Sequence, residues 1–425
     1  MAEFTIEAFQ NEYLPEGHNV MDAVITVTAA GTSTVAGLDS ARAGAERSEV
    51  IIIDTSGSMY GTKLREAQAA TAAAIDCLPD GVHFALIAGN HEARVVFPLS
   101  PPAAVASVFT REEAKRAVKK LKAAGGTAMG GWLHLAAYLF GDSPGIRHAI
   151  LLTDGKNESE AKEVFEEALS SVEGAFQCDC RGVGADWSVD DLRTVATTLL
   201  GTYDIVADPA DLSADFADMM NEALSKQVAE VTLRVWTPQG AEVTLLKQME
   251  PVMLDLSGAR TASVLLSGDY ATGSWGDESR DYHLSVRLPM GSVNDEMLAA
   301  RVTVLVGDEP RGQALVRAVW TDDAAMSTRI NKRVAEVKGE GQLADAIQAG
   351  IDALRSGDVA ASTDQFGAAV QLATEQENDE ALDRLSGLVD IEDGPTGRVR
   401  PKAKVADVDM MILETRSTRT TRNKK

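Results

Sequence analysis

The chain is predicted to be an α/β protein: a doubly wound parallel sheet with helices on both faces, an additional β-sandwich domain and a C-terminal helical hairpin. Three changes of hydropathy period predict it. Between 49 and 206 short β-branched runs alternate with amphipathic stretches, the pattern of parallel strands joined by crossover helices. From 229 the apolar period drops to two, and from about 326 it lengthens to between three and four. A length of 425 residues leaves room for several such domains. The boundaries are expected at 1–44, 45–228, 229–325, 326–390 and 391–425.

The N-terminal stretch, 1–44, reads as strand around 5–9 and 24–27. It is too short to form a core alone and is expected to join the later sandwich, which would make the α/β domain an insertion. In that domain Val50-Ile51-Ile52-Ile53 is a buried strand, and 63–78 is a helix closed by Pro79. Strands at 83–88 and 93–97 are joined by Gly89-Asn90-His91-Glu92, short enough for a hairpin, so one edge strand of the sheet should run antiparallel. Helices at 111–123 and 131–140 are separated by Gly125-Gly126. A strand at 148–152, a helix at 158–172, a strand at 175–183, a helix at 190–199, a strand at 203–206 and a helix at 211–228 complete the domain.

In the following segment Val231, Leu233 and Val235 alternate with Thr232, Arg234 and Trp236. Runs at 243–246, 263–266, 282–288, 300–306 and 314–320, with Gly, Pro and Asp at the turns, complete the strands of a sandwich. Leu343, Ile347, Ile351 and Leu354 then form one helix face, and Phe366, Val370 and Ala373 another beyond the Gly357-Asp358 break. Gly350, Gly357, Asp358, Phe366 and Ala369 resemble a single tetratricopeptide repeat, which cannot bury its own face and must pack on a neighbour. Residues 391–425 read as a linker around Gly394-Pro395-Thr396-Gly397 and then a disordered, basic, Thr-rich tail.

Charge and cysteine usage exclude several functions. Lys and Arg number 40 against 64 acids, a net charge of −24, which argues against a nucleic-acid or anionic-membrane binder. The apolar runs are far shorter than the roughly 20 residues of a membrane span. The N-terminus, Met-Ala-Glu-Phe-Thr-Ile-Glu, has acids where a secretory signal carries Lys or Arg. The three cysteines, Cys77, Cys178 and Cys180, do not make a disulfide framework. Cytoplasmic location is the expectation, with Cys178 and Cys180 as small buried side chains on one strand face.

The segment richest in chemistry is Ile51-Ile52-Ile53-Asp54-Thr55-Ser56-Gly57-Ser58-Met59. A buried strand delivers Asp54 to the carboxyl edge of the sheet, and the next loop adds the hydroxyls of Ser56 and Ser58. Thr127, after Gly125-Gly126, and Asp154, after the strand ending at Thr153, belong to loops that the topology brings to the same switch point. Oxygen donors of this kind supply part of the octahedral shell of Mg²⁺, although Ser and Asp before a helix are also ordinary N-cap residues. A phosphohydrolase with a strand-end Asp nucleophile would want a carboxylate where Ser56 stands, and neither a phosphate-loop spacing nor a nucleophile elbow occurs, so an enzyme is not expected.

Asp54-x-Ser56-x-Ser58, Thr127 and Asp154 in a Thr-Asp-Gly turn resemble the metal-ion-dependent adhesion site of von Willebrand factor type A domains, at all five motif positions and within residues 45–228. The resemblance implies a six-stranded, Rossmann-like sheet, with the strand at 93–97 as its antiparallel edge, in a bacterial intracellular protein. It implies that Ser56, Ser58 and Thr127 hold Mg²⁺ (or Mn²⁺) directly or through water, and that Asp54 and Asp154 mainly accept from the ion's waters. It further implies a protein partner whose Asp or Glu completes the metal shell, in an adaptor or regulatory role. A Mg²⁺-dependent phosphoryl-transfer or hydrolytic enzyme using Asp54, and a docking subunit of an ATP-driven assembly, are the alternatives. Thr415, Thr418, Thr420 and Thr421 alternate with Arg and resemble tails modified by bacterial Ser/Thr kinases, which implies a kinase and a phosphothreonine-binding domain as further partners. A solubilising basic tail is the other reading of that segment.

Overall fold

The computed structural model describes residues 2–31, 46–402 and 405–418; the expected boundary between 44 and 45 lies outside them. The chain forms two compact units, the segment Thr32–Ala229 with Gly273–Gly276, and a second unit built from the rest. In chain order the first strands are β1 (Glu3–Gln10), β2 (Tyr13–Pro15) and β3 (Val20–Ala30). The α/β unit follows: β4 (Arg47–Asp54), α1 (Thr62–Cys77), β5 (His83–Gly89), β6 (Ala93–Phe97), β7 (Ala104–Val105), α2 (Val108–Val118), α3 (Met129–Phe140), β8 (Ile146–Thr153), α4 (Lys162–Ser171), β9 (Gln177–Val183), α5 (Val189–Thr198), β10 (Tyr203–Val206) and α6 (Leu212–Ser225).

The sheet of this unit runs β10-β9-β8-β4-β5-β6. β4 is parallel to both neighbours, with Val50 opposite Ala85 of β5 and Ala149 of β8. Every residue of β4 is buried, which is why its sequence is a continuous apolar run rather than an alternating one. β6 is the antiparallel edge. The sheet has seven strands where six are expected, because β7 returns after the prolines at 98, 101 and 102 and pairs with the start of β5. Alanines 67, 70 and 74 of α1 lie in the same core as Ile51, Ile53, Leu86 and Phe216. At the amino ends of the strands His148 is buried between Glu49, at 2.7 Å, and Asp179, at 3.0 Å. Burial alone would lower its pKa, but the charges and hydrogen bonds of these acids outweigh it and push the imidazole up to about 10.

The second unit continues with β11 (Val228–Trp236), β12 (Glu242–Glu250), β13 (Leu254–Asp255), β14 (Thr261–Ala262), β15 (Ser267–Trp275), β16 (Glu278–Arg287), β17 (Glu296–Val306) and β18 (Glu309–Thr321). Two sheets result, β1-β3-β16-β12-β13 and β14-β15-β11-β17-β18-β2. β3 pairs with β16 from Val20 opposite Arg287 to Ala29 opposite Glu278. The expected strand at 263–266 is absent. Val264, Leu265 and Leu266 are exposed in the turn before β15, where Leu266 takes a φ of 60°. A short apolar run carries too few periods to distinguish a turn from a strand.

The remaining elements are α7 (Ala324–Ser327), α8 (Lys332–Ser356), α9 (Val359–Glu375), α10 (Asp379–Ser386), β19 (Val389–Asp393), β20 (Arg398–Pro401) and α11 (Asp407–Arg416). Val337 and Ala344 of α8 pack with Val24 of β3 and Met249 of β12. Arg333 forms ion pairs with Asp281 and Glu250. Glu340, on the same helix, has a buried Oε2 without a hydrogen-bond partner among the described residues. Burial first, then the charge of Glu250, pushes this carboxyl up to about 7. The helical segment is larger than a hairpin: Ile347, Phe366, Val370, Leu385 and Leu413 share one core across α8, α9, α10 and α11. Gly350 lies under Phe366, where a Cβ would stand 2.6 Å from the ring.

Among the described residues, the segment expected to be a linker and disordered tail contains regular elements, β19, β20 and α11. β19 and β20 pair with each other, and α11 buries Met411, Leu413, Glu414 and Thr415. Two of those four are polar, so no apolar period announces the helix; Glu414 is held by both guanidinium nitrogens of Arg355, at 3.1 and 2.6 Å. Among the described residues no helix is long and apolar enough to cross a membrane.

Candidate functional site

Asp54 ends β4 fully buried, and Asp154 follows β8 equally buried. The chain after β4 turns at once: Ser56 N donates to Asp54 Oδ1 at 2.6 Å, and Gly57 N donates to Gly125 O at 2.8 Å, which ties the loop to the segment carrying Thr127. Met59 is buried and anchors the loop, leaving Ser58 exposed beside it. Ser56 Oγ lies 2.9 Å from Ser58 Oγ, and Ser58 Oγ donates to Asp154 Oδ1 at 2.7 Å. The two carboxylates and two serines therefore form one hydrogen-bonded cluster.

Thr127 reaches the same point from a third loop. A Cβ added at Gly155 would stand 3.1 Å from Thr127 Oγ1, 3.5 Å from Ser58 Oγ and 3.8 Å from Asp54 Oδ2. Three side-chain oxygens from two loops thus converge on a space that the glycine of a third loop keeps clear. The donor set of two carboxylates and three hydroxyls is all oxygen, and it fits a hard divalent cation such as Mg²⁺ or Mn²⁺ better than a soft one. Desolvation raises the Asp54 pKa, and the neighbouring charge of Asp154 adds to it, against the hydrogen bonds of Thr153 and Ser56. A cation would relieve both effects.

Thr153, in the Thr-Asp-Gly turn, and residues of the neighbouring loops support the site. Thr153 Oγ1 donates to Asp54 Oδ2 at 2.5 Å and so orients it. Thr127 N donates to Ser159 Oγ at 3.0 Å, Met129 N to Asn157 Oδ1 at 2.8 Å and Gly130 N to Glu160 Oε1 at 2.8 Å. These bonds cap the start of α3 from the loop after β8, and they explain why α4 begins at Lys162 and not near 158. Asn157 is therefore a capping residue of that loop. Lys63 Nζ donates to Asp154 Oδ2 at 2.6 Å and to Asp186 Oδ2 at 3.3 Å. Burial alone would lower its pKa, but Asp154, with Asp186 behind it, reverses that and raises it.

The tail residues stand differently from expectation. Thr415 is fully buried in α11, its hydroxyl donating to Met411 O at 2.8 Å, and is not accessible for modification. Thr418 is half-buried; its hydroxyl donates to Thr415 O at 3.1 Å and its carbonyl accepts from Met253 N at 2.7 Å. Thr420 and Thr421 lie outside the described residues.

Family models for the von Willebrand factor type A domain and for the von Willebrand factor type A C-terminal domain match residues 49–205 and 371–417. A solved von Willebrand factor type A structure from Catenulispora acidiphila is similar over 99% of this chain and 97% of that one, with 44% identity and a TM-score of 0.92. The ArnB paralog VWA2 from Sulfolobus acidocaldarius, only 14% identical, shares the fold at a TM-score of 0.59 over 98% of each chain. Among curated proteins, an uncharacterised protein of Synechocystis is 25% identical over 214 residues, 49% of this chain and 49% of that one. Human inter-alpha-trypsin inhibitor heavy chain H4 is 26% identical over 206 residues, 46% of this chain and 22% of that one. The chain spans about half the length of the first of these curated relatives and less than a quarter of the second. On the identity and coverage with the Catenulispora protein, this chain belongs to the von Willebrand factor type A family.

Proposed function

We propose that Asp54, Ser56, Ser58, Thr127 and Asp154 hold a Mg²⁺ or Mn²⁺ ion, and that the loaded site recognises a partner protein through an Asp or Glu carboxylate. The observation that carries this reading is the convergence of Thr127, Ser58 and Asp54 oxygens around Gly155. Two buried carboxylates side by side are otherwise costly, and a divalent ion offsets that cost while leaving local positive charge for an acidic ligand. The role is that of an intracellular adaptor or regulatory component, non-enzymatic, in a reducing compartment.

Affinity purification from the native host in Mg²⁺ and in EDTA, with wild type and Asp54→Ala, tests it. The partner is expected only with wild type in Mg²⁺. A partner that is retained by Asp54→Ala in EDTA would show that recognition uses another surface.

A further inference from the structure

Lys63 is not an oxygen donor, yet its ammonium lies within the cluster. From the first turn of α1 its stem passes Gly184, where a Cβ would stand 3.9 Å from Lys63 Cε. Its Nζ then spans two carboxylates of different kinds. Asp154, at 2.6 Å, is fully buried and already accepts from Ser58 on its other oxygen; Asp186, at 3.3 Å, has a side chain 78% exposed. One tethered cation thus bridges a carboxylate of the cluster and a carboxylate at its rim.

The charge balance gives this bridge a consequence. Asp54 and Asp154 bring two negative charges into a poorly hydrated space, and Lys63 cancels one of them. A divalent ion binding there meets an acceptor, Asp154 Oδ2, that is already engaged by the ammonium. Once bound, it leaves the group of Asp54, Asp154, Asp186, Lys63 and ion neutral, where without Lys63 the group would carry one net negative charge. We propose that Lys63 is a built-in competitor for the cation that, in exchange for weaker metal binding, makes the loaded site select carboxylate-bearing ligands. This inference rests on the metal reading above. It does not require Lys63 to lose its proton, only to share Asp154 or to lean towards Asp186.

The test is Lys63→Met in the full chain, which keeps the length of the stem and removes the charge. Mn²⁺ affinity is measured by calorimetry, and acetate is then titrated into the Mn²⁺-loaded chain as a carboxylate probe, followed by water-proton relaxation. The expected result is Mn²⁺ binding about tenfold tighter and acetate binding about tenfold weaker than in wild type, with Lys63→Arg close to wild type in both. Opposite movement of the two affinities is the signature, because a merely structural role would weaken both. Weaker or unchanged Mn²⁺ binding overturns the competition, and unchanged acetate binding overturns the selection. Mn²⁺ binding by neither chain overturns the metal reading itself. Lys63→Gln, which retains a donor for Asp154, repeats the measurement if the Met variant does not fold.

Discussion

Replacing Gly155 by alanine would add one methyl group at the point where the candidate ligands converge, and would remove none of them. The methyl carbon would lie 3.1 Å from Thr127 Oγ1 and 3.5 Å from Ser58 Oγ. A Mg²⁺ or Mn²⁺ ion needs oxygens at about 2.0 to 2.1 Å, together with room for its waters. The methyl and the hydrated ion compete for the same small volume, and a 3.1 Å contact already requires Thr127 to give way by a few tenths of an ångström. Gly155 does not use the left-handed backbone region, so alanine fits its conformation, and the stability change in EDTA should stay within about 1 kcal/mol. Metal affinity should fall by about a hundredfold or more, equivalent to about 3 kcal/mol. Calorimetric titration with Mn²⁺, paired with thermal unfolding in EDTA, separates the two effects. A folded Gly155→Ala chain that binds Mn²⁺ within about threefold of wild type would refute the placement of the ion among Thr127, Ser58 and Asp54.

Three further outcomes concern buried ionisable and polar groups. His148→Gln removes the cation between Glu49 and Asp179 and should cost about 3 to 5 kcal/mol in urea unfolding at pH 7. Because the folded pKa is raised to about 10, the stabilisation is complete below the ordinary histidine value and is lost as pH rises through about 10; a gap between the two chains that does not narrow there contradicts the ion-pair account. Glu340→Gln should stabilise the chain by about 2 kcal/mol at pH 8, after allowance for solvent screening. A carboxyl whose pKa is raised to about 7 costs stability once ionised, so the two chains should converge as pH falls through about 7 to the ordinary glutamate range; pH-independent unfolding curves would refute this. Thr415→Glu places a charge in the buried face of α11 and should destabilise by about 3 kcal/mol or more. Kinase treatment of the folded chain followed by mass spectrometry should find phosphate at Thr420 or Thr421 and none at Thr415, and stoichiometric phosphate on Thr415 would contradict its burial.

The α/β sheet was legible because its strands are buried on both faces, so that Val50 to Ile53 stands out as an unbroken apolar run ending in Asp54. Asp54, Ser56 and Ser58 were legible together because they are local in sequence. The supports from the loop after β8 were not: Ser159 is 32 positions from the Thr127 amide it accepts from, and Glu160 is 30 from the Gly130 amide. Ordinary hydroxyls and carboxylates satisfying distant backbone groups leave no periodic trace. α11 is not legible for a related reason. α11 buries Glu414 and Thr415 among its inward positions, and Glu414 is neutralised by Arg355, 59 positions earlier, so a helix that is polar in composition is buried in fact. The turn at Val264 to Leu266 is the converse case, an apolar run left in solvent.

The pairing of β3 with β16 has a consequence for synthesis. Thr26 and its partner Asp281 are 255 positions apart, with the whole α/β unit encoded between them. At about 5 to 20 residues per second, β3 leaves the ribosome roughly 10 to 50 s before its neighbour exists. During that interval β1 can cover one edge of β3 as a hairpin, but the other edge and the side chains of Val24, Ile25 and Val27 have nothing to pair with. A nascent chain arrested after α6 would therefore expose an apolar strand edge of the kind that recruits chaperones or other chains, even with strands β4 to β10 already made.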